Sequence, residues 1–272
     1  MDPRFSVVPD KRKDQHFLAD HNILNRIVDF ADIQPDETIL EIGAGPGNLT
    51  RELSKKAKHV YTIEMDDALV KILEEEFRDT NVTVIHGNAL KVDFPEFDKV
   101  VANLPYSISS DITFKILRHR FKFGILMYQK EFALRMVSKV GEEEYSRLSV
   151  HVQHFADVKI LMKVSRRAFV PPPEVESAVI KITPRPAAYS VKDEDFFMKL
   201  VTAAFVQRRK RLKNAIVNGA HIMGLKNAKK IVTLLPRDIM EKRAEMTSPE
   251  EFAALSDTIM ELAKDGNKDL QG

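Results

Sequence analysis

The sequence predicts an α/β protein in which a doubly wound, mostly parallel sheet with an antiparallel edge precedes a small helical domain. Three observations predict it. Over the first two-thirds, short β-branched runs alternate with stretches of helical period, the pattern of strands joined through helices into one sheet. After Ser149 the pattern changes to two successive strand-like runs, Val158 to Val164 and Ala178 to Ile182, with no room for a helix between Val150 and Val164; an antiparallel addition explains this. The segment Thr183 to Ser190 then holds two Pro and two Ala, and everything after it is helical in pattern, so the boundary is expected between residues 1–184 and 185–272.

Each element has its own local reason. Thr38 to Ile42 is an apolar run ending in a Gly-rich turn and a helix whose face includes Leu49 and Leu53. His59 to Ile63 reads as a strand, Ala68 to Phe77 as a helix, and Val82 to Ile85 and Lys99 to Ala102 as the next two strands. A helix from Ser110 to Arg118, a strand from Gly124 to Met127 and a helix from Glu131 to Val137 complete the parallel part.

Composition narrows the function. The 272 residues hold no Cys, 30% charged and 44% hydrophobic residues, which excludes a disulfide scaffold and a disordered tail. No apolar run approaches the roughly 18 residues of a membrane span and the first twenty residues are charged, so a soluble, cytoplasmic protein is expected. Without Cys, and with eight His that never form a His-x-x-x-His pair, a metal site is not expected. The formal charge is only +2, yet Lys199 to Arg243 carries twelve Lys and Arg against Asp238 and Glu241. Such segregation suits a surface laid on a polyanion, although a single basic run is more often a solvated helix face.

The segment Gly43-Ala-Gly45-Pro-Gly47 closes a buried strand, where glycine lets a ligand approach the backbone at the carboxyl edge of a sheet. Asn48 stands where a dinucleotide site would have its third Gly, which tilts the reading from a nicotinamide cofactor toward S-adenosylmethionine. Tight turns alone also need Gly. Glu64 and Asn88 each end a predicted strand on the same edge, where a carboxylate can hold ribose hydroxyls and an amide can meet an adenine amine. Singly, one is as readily a surface carboxylate and the other a turn residue; jointly they describe an adenosine site.

Asn103-Leu104-Pro105-Tyr106 ends the fourth strand with an amide, a fixed Pro and an aromatic ring. It resembles the Asn/Asp-Pro-Pro-Tyr group of S-adenosylmethionine-dependent amino methyltransferases, although Asn-x-Pro also makes good turns. An adenine amine is a poor nucleophile because its lone pair is delocalised into the ring. If the Asn103 side-chain oxygen and the Leu104 carbonyl accept its two N–H bonds, the lone pair is directed at a methyl donor, and the step needs positioning and electrostatics only. Tyr106 would stack on an extruded base, and Phe169, held by Pro171, Pro172 and Pro173, is expected to close the other face.

With these residues in place the chain resembles the small-subunit ribosomal RNA adenine dimethyltransferases, most closely their archaeal and eukaryotic branch. The resemblance runs from Lys11 to about Asn214 through Gln15-His-Phe-Leu18, the Gly43 loop, Glu64, Gly87 to Leu90, Asn103 to Ser110, Gln129 to Arg135, Tyr145 to Ser149, Phe169 to Val179 and Ala204 to Asn214. It implies S-adenosylmethionine as donor, S-adenosylhomocysteine as product, and two adjacent adenines in the 3′-terminal hairpin loop of small-subunit rRNA as target, in a precursor of the small ribosomal subunit. It also implies roles: Gln15, His16 and Leu18 close the cofactor site, Gly43 and Gly45 meet the methionine moiety, Glu64 holds the ribose, Asn88 and Ala89 meet the adenine, and Met65 and Asn103 also border the cofactor. Asn103, Leu104, Pro105 and Tyr106 take the target, with Phe169 opposite. Two positions depart from the family: Asp14 replaces its usual Gly, and Asn88 its usual Asp, which keeps an acceptor but loses the charge. The cations Arg208, Arg209, Lys210 and Arg211, and a second group of Lys115, Arg118, Arg120 and Lys122, are expected to contact RNA phosphates. A monomer is expected.

Overall fold

A computed structural model describes residues 15–268; Asp14 and the Lys11 to Lys13 cations lie outside the described residues. The chain divides into two compact units, residues 1–134 with 156–185, and residues 135–155 with 186–272.

In chain order the first unit begins with β1 (Phe17–Leu18), α1 (His21–Ala31), β2 (Thr38–Ile42), α2 (Asn48–Ser54), β3 (His59–Glu64), α3 (Asp67–Glu76) and β4 (Val82–His86). It continues with β5 (Lys99–Asn103), α4 (Ser109–Leu117), β6 (Phe123–Gln129) and α5 (Lys130–Val137), the last crossing into the second unit. After α6 (Arg147–Phe155) the chain returns as β7 (Ala156–Val164), β8 (Phe169–Val170) and β9 (Ser177–Pro184). Seven strands form one sheet in the order β4-β3-β2-β5-β6-β9-β7, parallel through β6 and antiparallel at β9. The predicted antiparallel addition is the pair β7 and β9 at this edge of the sheet, with β9 against β6 and β7 outermost. Winding reverses between β2 and β5, which opens a crevice beyond their carboxyl ends.

Local chemistry explains the helices that frame this crevice. Asp20 caps α1 by accepting from the Asn22 and Ile23 N–H groups at 2.9 and 3.2 Å, and Leu24, Ile27, Val28 and Ala31 bury one helical stripe. Asp66 caps α3 in the same way, and Leu69, Val70 and Leu73 pack inward.

The opposite, amino edge of the sheet carries a buried ion cluster. Glu37, 2% exposed, accepts from Lys99 at 2.7 Å, from Lys122 at 2.8 Å and from the Gln34 N–H at 2.9 Å, and Lys99 also donates to the Asp32 carbonyl at 2.7 Å. Burial alone would raise the Glu37 pKa, but the Gln34 N–H and the two ammoniums outweigh it and lower it to about 2. The cluster joins the entry of β2 to those of β5 and β6.

The second unit holds α6 and then α7 (Glu194–Val206), α8 (Leu212–Asn218), α9 (Ala220–Met223), α10 (Ala228–Leu234), α11 (Arg237–Glu241) and α12 (Pro249–Lys268). Phe197, Leu200, Val201, Leu212, Ile216 and Phe252 form its core. Helix α6 contradicts the expectation of no helix after Val150. Its Ser, Val and His residues are poor helix formers, but Val150 is buried in this core and Gln153 donates to the Met136 and Ser138 carbonyls at 2.9 and 2.8 Å. Tertiary packing decides the segment, and the helical unit thereby takes in residues 135–155 as well as the chain after 185. Among the described residues no helix is long and apolar enough to cross a membrane.

Replacing Glu37 with Ala strands the Lys99 ammonium in the interior and is expected to lower the unfolding free energy by roughly 3 kcal/mol, measured by urea denaturation. Because the folded pKa lies below the usual 4.5, this contribution is present above about pH 4.5 and fades as the pH falls toward 2. The variant should therefore differ from wild type at pH 7 and converge with it in acid.

Candidate active site

The crevice at the carboxyl edge is a cavity of about 530 Å³, lined from the loops that follow β2, β3, β4 and β5 and by the segment 15–18. After β2 the backbone enters the left-handed region at Gly43, φ 76°, where a Cβ would stand 3.3 Å from the Pro105 ring. At Gly45, φ 56°, a Cβ would stand 3.0 Å from the Phe17 ring. Glycine is required at both positions by backbone angle and by close approach, so the loop can lie against Pro105 on one side and Phe17 on the other.

Glu64, 7% exposed at the end of β3, accepts three backbone N–H groups: Gly45 at 2.9 Å, Met65 at 2.8 Å and Asp66 at 3.0 Å. Asp66, held by that turn, caps α3 with one carboxylate oxygen and takes the Gln15 amide on the other at 3.2 Å. Asn48 donates to the Leu18 carbonyl at 2.9 Å, and β1 pairs antiparallel with β8, Leu18 opposite Phe169. Gln15, His16, Phe17 and Leu18 are thus strapped across the cavity. Met65 lies at its mouth, 64% exposed. Asn88 lines the cavity, and its side-chain oxygen accepts the Leu90 N–H at 2.8 Å, so the turn reading and the ligand reading fall on the same atom. Ala89 lines the cavity beside it.

Asn103 closes β5. Its Nδ2 donates to the His16 carbonyl at 3.3 Å; that carbonyl can only accept, so it orients the amide and leaves Oδ1 buried with no hydrogen-bond partner. A buried acceptor without a donor is costly in an empty fold and marks a place where a ligand donor belongs. Leu104 is buried at 1% exposure, and Pro105 and Tyr106 line the wall. The Tyr106 hydroxyl pairs with the Ser177 hydroxyl at 2.6 Å, and its ring lies 6.2 Å from that of His16 at an angle of 22°.

Several expected residues stand elsewhere. Phe169, 1% exposed, belongs to the core with Leu18, Leu24 and Val179 and is not a wall of the cavity; its apolar ring gains more from full burial than from a half-open face. His16, whose Nδ1 meets the Pro171 carbonyl at 2.9 Å, is the ring that faces Tyr106. Lys115 is turned inward: its ammonium donates to the Ala89 carbonyl at 2.8 Å and to that of Val92, and lies 4.3 Å over the Phe94 ring. Lys122 is held by Glu37. Arg118 and Arg120 are exposed. In the second unit Arg208 pairs with Glu245 at 2.9 Å and Arg211 with Glu241, while Arg209 and Lys210 are exposed in the turn between α7 and α8.

Sequence reasoning read Asn48 only as a departure from a dinucleotide-site glycine and gave no role to Glu41, Asp66 or Ser177, which sit inside or beside the quoted motifs and carry no motif of their own. Glu41, 1% exposed, accepts the Thr50 and Thr62 hydroxyls at 2.6 and 2.8 Å and lines the cavity. Burial raises its pKa, Thr50 and Thr62 oppose, and nearby Glu64 adds to the rise, giving about 7.

Residues 10–256 match the sequence model described as ribosomal RNA adenine dimethylase. A protein of Methanosarcina mazei called probable ribosomal RNA small subunit methyltransferase A is 56% identical over 250 residues, 92% of each chain. One of the same name from Pyrococcus abyssi is 40% identical over 95% of this chain and 94% of its own. The crystal structure of a dimethyladenosine transferase from Plasmodium falciparum superposes with a TM-score of 0.76 at 34% identity, covering 92% of this chain and 98% of that one. That of the 23S rRNA methyltransferase ErmE gives 0.67 at 25% identity, covering 90% and 99%.

Glu41 has a folded pKa raised to about 7 from 4.5, so its contribution to stability is full below pH 4.5 and is lost as the pH rises through 7. Glu41→Gln, which keeps an acceptor for both Thr hydroxyls, should unfold at higher urea than wild type at pH 8. The gain is expected to be on the order of 3 kcal/mol and to vanish at pH 4.5.

Proposed function

The chain belongs to the ribosomal RNA adenine dimethylase family, and on that premise we propose which adenines it methylates and which residues do the work. It is an S-adenosylmethionine-dependent rRNA adenine N6-dimethyltransferase. The targets are two adjacent adenines in the 3′-terminal hairpin loop of small-subunit rRNA, modified in a cytoplasmic precursor of the small ribosomal subunit by a monomeric enzyme.

One observation carries the reading: the buried, unpartnered Asn103 Oδ1 at the carboxyl end of β5. An exocyclic amine has two N–H donors, and Oδ1 accepts one while the adjoining Leu104 carbonyl accepts the other, drawing the nitrogen lone pair out of the ring plane. Bound S-adenosylmethionine would supply an electrophilic sulfonium methyl, with S-adenosylhomocysteine as the other product. The chain holds and orients the reactants. The glycine loop, Glu64 and the turn at Asn88 and Ala89 fit the methionine, ribose and adenine of the donor, and the strap at residues 15–18 excludes water. Tyr106, fixed through Ser177, stacks on the extruded base. The amine loses its proton once it is methylated and cationic, so no strong base is required.

A large-subunit target, the reading favoured by likeness to ErmE, has the weaker support: 25% identity against 56% for the archaeal relatives named for the small subunit.

Labelled methyl transfer to unmethylated small ribosomal subunits tests the proposal, with the product nucleotide identified by mass. Wild type should make dimethyladenosine, and Asn103→Ala should lose roughly 100-fold or more in kcat while still binding S-adenosylhomocysteine. Subunit binding without transfer by wild type would point to an assembly factor instead. Lys115→Met frees the Ala89 and Val92 carbonyls and should weaken S-adenosylhomocysteine binding roughly 5-fold, from about 1 kcal/mol of lost hydrogen bonding, read by calorimetry.

A further inference from the structure

The carboxyl edge of the sheet is electrically polarised. At the β3 end it carries Glu64, Asp66 and Asp67. Beyond β5 strand register places a different set side by side: Gln129 of β6 and Val164 of β7 both lie opposite Ser177 of β9. The residues just past those ends are Lys130, Glu176 and the stretch Ser165-Arg166-Arg167. Lys130 donates to Glu176 at 2.8 Å, and Lys163 and Arg166 act on the same carboxylate electrostatically. Lys163, Arg166 and Arg167 are exposed, and Arg166 spends one N–H on the Glu174 carbonyl at 3.0 Å. Glu131, Glu174 and Glu176 temper the group without cancelling it, four cations against three carboxylates. Among these basic residues stand two exposed apolar side chains, Val170 at 58% and Val175 at 45%.

Position gives this group its meaning. Ser177, central in the register, is the residue that holds Tyr106. At about 4.8 Å per strand, β7 lies about 14 Å from β5. The cations therefore begin next to the base slot and run away from it, on the side the cofactor does not use.

We propose that this β6-β9-β7 edge is the track for the single-stranded RNA that carries the target adenine, with Lys130, Lys163 and Arg166 on its phosphates and Val170 and Val175 against its sugars and bases. The inference rests on the catalytic reading above, because the base must enter beside Tyr106, and it names the surface that holds the strand. RNA loops are bound largely through backbone charge and apolar contact with unstacked bases.

The test is equilibrium binding of the full chain to a labelled RNA hairpin with two adjacent unmethylated adenines in its loop, measured over a range of salt. The triple variant Lys130→Gln, Lys163→Gln, Arg166→Gln should raise Kd at least about 10-fold, and the slope of log Kd against log salt should fall by about 2, since each single-strand phosphate contact contributes about 0.7. Glu176→Gln should act in the opposite direction and tighten binding several-fold, which a merely structural role would not produce. S-adenosylhomocysteine binding should be unchanged in all variants. A triple variant with the Kd and slope of wild type overturns the proposal, as does a raised Kd with an unchanged slope or a Glu176→Gln variant that binds no tighter. Methyl transfer measured in parallel separates the two claims. Salt-steep binding that the triple variant loses, with no transfer by wild type, brings down the catalytic reading alone; transfer by wild type with an unaffected triple variant brings down the RNA track alone.

Discussion

The Glu64 carboxylate accepts three backbone N–H groups, and the working edge of the molecule is organised around it. By holding Gly45 it fixes the loop after β2, and by holding Met65 and Asp66 it fixes the turn after β3. Hydrogen bonds from a carboxylate to backbone N–H groups are charge-assisted and strong, and here they join the two loops on one side of the point where the sheet reverses its winding. Asp66, set by that turn, holds Gln15; the strap that follows passes its His16 carbonyl to Asn103 and its Leu18 carbonyl to Asn48. Hydrogen bonds and the short strap between them thus connect the β3 end of the cavity to the Asn103 amide at its β5 end.

That connection explains why Asn103 is left with an unused oxygen. The strap engages the amide nitrogen, Oδ1 is buried at the end of β5, and nothing in the described residues supplies a donor to it. The fold bears the cost of a desolvated acceptor where binding of an amine would recover it. The opposite edge shows the contrasting solution: Glu37 is buried with every strong demand met, and its role is to hold β2, β5 and β6 in register. Glu37 and the Asn103 Oδ1 therefore serve different ends, and what separates them is whether the partner is internal.

Charge illustrates the limit of one-dimensional reading. The run from Arg208 to Arg211 is the densest group of cations in the chain, yet half of it is matched by Glu245 and Glu241 from distant sequence. Lys115 looked like a phosphate ligand on a helix face and is instead a brace under the Asn88 turn, its pKa lowered by burial. Lys130, Lys163 and Arg166 are scattered over 37 positions and form no run, but antiparallel register gathers them at one edge. Partner choice across the fold, which no local window contains, decides which cations face solvent.

The sequence by itself determined the strand and helix order from Thr38 to Val137, the glycine loop, and the line of polar residues at strand ends, because period, turn chemistry and backbone angle act over a few residues; the helix His21–Ala31 and the short strands Phe17–Leu18 and Phe169–Val170 carried no such signal. Gly43, Glu64, Asn88 and Asn103 were legible for that reason, and the resemblance of their order to a known family rested on the same local motifs. Only the tertiary structure decided the rest. It made Arg147–Phe155 a helix against its propensities by burying Val150, drew Phe169 into the core and put His16 opposite Tyr106, and inserted β9 between β6 and β7. Each of these depends on which surfaces remain to be buried once the elements meet, and the free energy of that burial is set by neighbours that are far away along the chain.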